Sequence, residues 1–156
     1  MSRPLASARI KRIAWILAIA GVIPFAVATA FMFRGEAHVR VPAIAALITY
    51  SAVVLSFLGG IEWGLALREE AGNEMTRAVA LGLSTVPSLA AWTVLWLNGP
   101  TQQIGTAIGI FVFAWGADQY LASRGLLPTW FVDLRTAITG VVTVILAVAL
   151  WRVWST

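Results

Sequence analysis

The chain has 156 residues, of which 60% are hydrophobic and 12% charged; the charged share is about half the ~25% usual for soluble domains, which excludes a fold surrounded by water on all sides. It has no cysteine and a single histidine, His38, so disulfides, thiolate metal sites, iron–sulfur clusters and bis-histidine haem are excluded. The formal charge of +4 comes from Lys and Arg residues scattered between apolar runs rather than gathered on one face, so the chain is not read as a nucleic-acid binder.

Apolar runs cover 13–33, 41–67, 79–97, 104–122 and 134–153. Each can cross a hydrocarbon core of ~30 Å as a helix of about 20 residues. None alternates with period two, and a lone strand in lipid would leave its backbone groups unpaired. The expected fold is therefore all-α, one polytopic membrane bundle of about five transmembrane helices in a single domain over 1–156.

The first run follows Arg9, Lys11 and Arg12 and carries Pro24 at mid-span. Its basic flank and the Ala26-Val27-Ala28 and Ala28-Thr29-Ala30 triplets have the outline of a secretory signal, but the apolar stretch continues to Phe33. Retention as the first helix is expected. The second run holds Gly59, Gly60, Glu62, Trp63 and Gly64 and ends at Arg68; a polar link then leads to Arg77. The third contains Pro87, flanked by Ser84, Thr85 and Ser88, which are placed to satisfy carbonyls freed by a kink. Asn98-Gly99-Pro100-Thr101 forms the tightest connection. The fourth run has Gly105, Gly109 and Gly116 recurring on one side, which predicts packing by that face, while Asp118 is turned elsewhere. Gly60 and Gly64 share the small-xxx-small spacing. The fifth run opens near Arg135 and carries Thr136, Thr139 and Thr143 as a polar stripe.

Arg3, Arg9, Lys11, Arg12, Arg68, Arg77, Arg124 and Arg135 fall on one side of such a bundle and Arg34, Arg40 and Arg152 on the other. The positive-inside rule then gives a cytoplasmic N-terminus and an external C-terminus. Trp15 and Trp130 would sit at the inner interface and Trp96, Trp151 and Trp154 at the outer.

The segment Gly60-Ile61-Glu62-Trp63-Gly64-Leu65-Ala66-Leu67-Arg68 is echoed by Gly116-Ala117-Asp118-Gln119-Tyr120-Leu121-Ala122-Ser123-Arg124. This echo suggests two hairpin repeats followed by one helix; coincidence within a Gly/Ala/Leu-rich alphabet is the alternative. Each acid precedes its arginine by six residues, ~9 Å of helix, so both lie at one shallow depth, and Arg135 enters at a similar level. Acids in lipid are costly and face protein or water. Glu62, Asp118 and Arg135 thus form a candidate intramembrane cluster, with Gln119 and Tyr120 as candidate hydrogen-bonding neighbours. Three readings stay open: a functional polar or proton-binding pocket, a structural ion-pair network, or independent groups hydrated at the boundary with Arg135 reaching lipid phosphate.

The string Ser56-Phe57-Leu58-Gly59-Gly60-Ile61-Glu62-Trp63-Gly64 resembles a bacterial and mitochondrial family of uncharacterised membrane proteins, the one that includes transmembrane protein sixty-nine. The resemblance, supported by Tyr50 to Leu55 and the proline-bearing third span, extends over nearly the whole chain. It implies a small multi-helix inner-membrane protein, no established activity, and a packing motif at Gly59, Gly60, Trp63 and Gly64. Eight tryptophans also invite comparison with the tryptophan-rich sensory proteins, but their Pro-Pro and Trp-Pro loop elements are missing.

No nucleotide loop, metal constellation or nucleophile–histidine pair occurs, which points away from an enzyme and predicts no required cofactor. The leading expectation is an accessory or assembly subunit, with membrane lipids and other membrane subunits as partners. The alternative is a small transporter or a bundle binding lipid, quinone or tetrapyrrole pigment through Glu62 and Asp118.

Overall fold

A computed structural model describes residues 8–68 and 73–155. Arg3 and the central part of the link before Arg77, residues 69–72, lie outside them. The described residues form five helices and no strand: α1 (Ala8–Met32), α2 (Ala37–Ala66), α3 (Glu74–Val94), α4 (Pro100–Ser123) and α5 (Thr129–Trp154). The shortest, α3, has 21 residues, ~32 Å at 1.5 Å per residue, enough to match a hydrocarbon core. By length and composition α1, α2 and α5 are apolar enough to cross a membrane. α3 and α4 are shorter and more polar, carrying Ser84, Thr85, Ser88 and Thr93 in one and Gln102, Gln103, Asp118 and Gln119 in the other.

Local chemistry sets where the helices start and stop. Asn73 caps α3, its side-chain oxygen accepting from the Thr76 amide at 2.8 Å. Gly99, at φ +102°, makes the turn that Pro100 then converts into the first residue of α4. At the other end of α4, Gly125 takes φ +77°, its N–H reaches Ala122 O and the Leu126 N–H reaches Leu121 O. That is a Schellman ending, and Leu121 and Leu126 bury together as its apolar contact. The C-terminus of α2 is held from outside: Arg77 Nε donates to Ala66 O at 2.9 Å. α1 and α3 continue as helix through Pro24 and Pro87. Ser84 and Thr85 hydroxyls bond Leu81 O and Gly82 O, rather than the Leu83 carbonyl that Pro87 leaves without its helical partner.

The helices pack as a ring in chain order, with α1 closing against α5 and α2 also touching α4 across the middle. The backbones of α2 and α5 do not come together among the described residues, and α1 packs against both. Phe25 stacks edge-on against Tyr50 at 4.9 Å and Phe111 at 6.0 Å, and Tyr50 Oη donates to Gly21 O at 2.9 Å. These contacts tie α1, α2 and α4 together at mid-bundle. Gly59 is the point of closest approach between α2 and α3: a Cβ there would stand 2.2 Å from the Ser84 carbonyl oxygen. Outward, α1 exposes Ile10, Ile13, Ile16, Leu17, Ile19 and Ile23, an apolar surface that only hydrocarbon solvates without penalty.

Candidate functional site

Three helices contribute one charged side chain each to the interior. Glu62 from α2 is 2% exposed, Asp118 from α4 1%, and Arg135 from α5 5%. Arg135 Nε donates to Asp118 Oδ2 at 2.6 Å, a short charge-assisted bond. Asp118 and Arg135 are the charged groups close enough to act on Glu62. The Glu62 carboxyl lies within hydrogen-bonding reach of Asp118, and Arg135 Nη2 is buried and unpartnered. The centre is therefore one short ion-pair bond with a second carboxyl beside it and an unused donor.

Helical geometry explains the convergence. On α4 the buried residues Ile104, Ala107, Ile110, Phe111, Ala114, Ala117, Asp118 and Leu121 repeat at three- and four-residue intervals, and Asp118 lies within that stripe. Asp118 is thus on the packed face of α4, opposite to the expected arrangement in which the glycines pack and the acid turns away. At Gly105, Gly109 and Gly116 nothing stands within 4 Å of an added Cβ, and the same holds at Gly60 and Gly64. Trp63 is 46% exposed. Of the glycines expected to pack helices, Gly59 does so within the bundle; the others face away because the larger side chains of the opposite stripe carry the contact.

Gln119 and Tyr120 are not brought into the cluster. A step of about 100° per residue rotates each off the Asp118 face. Gln119 Nε2 instead donates to Thr136 Oγ1 at 3.1 Å, which also accepts from Trp115 Nε1 at 3.0 Å. Tyr120 faces outward beneath the Arg124 guanidinium, 5.2 Å from its ring centre. Of the threonine stripe, Thr136 joins α5 to α4, while Thr139 is buried and Thr143 Oγ1 has no partner.

Beside the charge centre lies a feature that no motif in the sequence marks. A cavity of about 500 Å³ occupies the space between α1, α2 and α5, where the last two do not meet. Its walls are apolar, formed by such residues as Ala14, Leu17, Val54, Phe57, Ile138 and Val142, with Tyr50, Phe25 and Phe111 at its mid-bundle end. Arg135 is the charged residue on its lining. Leu17, Val53 and Phe57 are lining residues that also face outward, so the cavity opens sideways toward the membrane. A volume within the ~300–1,000 Å³ of small-molecule sites, apolar walls and a few polar groups, here Tyr50, Arg135 and Thr139, are the attributes of a ligand pocket.

The sequence model of a family described as a protein of unknown function, DUF3429, matches residues 10–151. Transmembrane protein 69 of Xenopus tropicalis is 35% identical over 130 residues, which cover 80% of this chain and 48% of that protein. Transmembrane protein 69 of Mus musculus is 28% identical over 125 residues, 79% of this chain and 49% of its own length. The chain thus spans about half the length of the curated relatives it matches. No solved structure matches it.

Proposed function

The chain belongs to the DUF3429 family, membrane proteins of unknown function, and from that premise we propose that it is a membrane-embedded binding protein, receiving an amphipathic small molecule from the bilayer between α1, α2 and α5. One observation carries this reading: Arg135 belongs at once to the buried ion pair and to the cavity wall. A purely structural ion pair in a tight core has no reason to border a void of this size, because apolar packing around it would contribute dispersion that the void forfeits. Among the described residues no group of side chains that could hold a metal lies at the site, and the reading proposed is binding or carriage.

The test is a fatty alcohol carrying a photoactivatable diazirine in its chain, added to the full chain in phosphatidylcholine vesicles. After irradiation, mass spectrometry should find label concentrated on Ala14, Val54 and Ile138. Label spread evenly over outward residues such as Ile16 and Val144 would overturn the reading.

A second reading, the accessory or assembly subunit, is favoured by the open face of Gly60, Gly64 and half-exposed Trp63. Small residues there allow another helix to approach closely. Crosslinking from that face in native membranes tests it, and recovery of this chain alone would count against a partner subunit. For orientation we propose a cytoplasmic N-terminus in a bacterial inner membrane, now without Arg135 among the supporting cations, since its charge is engaged inside the bundle.

A further inference from the structure

We propose that the cavity selects a neutral long-chain lipid with a carbonyl head, which accepts a hydrogen bond from the Arg135 guanidinium, over the corresponding carboxylate. This rests on the reading of the cavity as a binding site and adds the chemistry of its occupant.

The lining sets the shape of the ligand. On α1 it runs from Ala14 to Phe25, on α2 from Tyr50 to Ile61 and on α5 from Phe131 to Val142. Each stretch spans about three turns, ~16 Å of helix, so the cavity is elongated along the bundle. The mid-bundle end is closed by aromatic rings, and Tyr50 has already donated its hydroxyl proton to Gly21 O, so the Thr139 hydroxyl is the one other polar group on the wall between Arg135 and that end. The hydrocarbon part belongs there. The polar head belongs at the level of Arg135, the opposite end of the cavity.

Charge decides what kind of head fits. The Arg135 guanidinium is permanently cationic, but its charge is matched by Asp118 at 2.6 Å, and the Glu62 carboxyl stands near enough to act on both. An incoming carboxylate would meet no surplus positive charge and would leave water to sit beside one or two other acids. A carbonyl asks only for an N–H, and the Arg135 guanidinium on the lining has N–H groups beyond the one it gives Asp118. Accepting one adds no charge.

The experiment is competition against the diazirine fatty alcohol in phosphatidylcholine nanodiscs, using palmitate and methyl palmitate at concentrations counted per lipid so that membrane partitioning cancels. Methyl palmitate should displace the probe at least tenfold more effectively than palmitate. Asp118→Asn frees the guanidinium charge, and in that variant the preference should shrink at least threefold or reverse. Ile138→Trp and, as a milder filling, Val54→Phe should remove the labelling that both competitors act on. Equal or better displacement by palmitate in the unaltered chain overturns the head-group assignment while leaving the cavity as a site. Undiminished labelling in both filled variants overturns the site itself.

Discussion

Gly59→Ala is the substitution whose cost follows most directly from the structure. The added methyl would stand 2.2 Å from the Ser84 carbonyl oxygen and 3.2 Å from Ser88 Oγ. The hydroxyl can rotate away, but the carbonyl belongs to the backbone of α3. Against a carbon contact optimum of ~3.5 Å the shortfall is roughly 1.3 Å, and the two helices must separate by about that much. A radial gap of 0.5–1 Å already forfeits a quarter to a half of the dispersion at each contact, so overpacking here should cost ~1–3 kcal/mol, toward the upper end. This corresponds to a roughly 5- to 150-fold fall in the folded-to-unfolded ratio. Gly60→Ala and Gly64→Ala are the controls, because nothing stands within 4 Å of either new methyl. Both should remain within about 0.5 kcal/mol of the parent. Unfolding of the three variants by sodium dodecyl sulfate in mixed micelles, followed by tryptophan fluorescence and circular dichroism, gives the comparison. Equal stability of Gly59→Ala and Gly60→Ala would refute the close approach of α2 to α3.

Replacing one member of the buried pair should cost far more than replacing both. Arg135→Met leaves Asp118 buried without its cation, an expected loss of ~3–5 kcal/mol, and Arg135→Met with Asp118→Leu should recover most of it; the same unfolding measurement shows the difference, and additive losses would contradict the pairing. Tyr50→Phe removes the bond to Gly21 O while keeping the ring against Phe25, and should cost ~0.5–1.5 kcal/mol. Its effect should appear in amide exchange of α1 before that of α3, because the lost bond ties α1 to α2.

The helices were legible because hydrocarbon demands long unbroken apolar runs. Their first turns were less so. Each helix begins four or five residues before its apolar run, at the cap or turn that frees the chain to wind: Asn73 for α3, Gly99-Pro100 for α4, Pro128 before α5. The depth argument named Glu62, Asp118 and Arg135, since residue spacing along a helix fixes height. It could not fix which way a helix is rotated in the bundle. Hence spacing alone points the glycine face of α4 inward and places Gln119 and Tyr120 beside an acid whose face they do not share. The cavity had no signature at all, for a void arises from where three helices fail to touch, and composition records only what is present.

The ion pair joins neighbouring helices, its members separated by 17 residues of chain across a single hairpin. When α4 and α5 pass from the ribosome into the bilayer as a hairpin, Asp118 and Arg135 can enter already neutralising one another. Glu62 has no such escort, since its helix is made two helices earlier. It meets Asp118 and Arg135 only when the last hairpin is in place, so the three-residue centre is completed by α4 and α5.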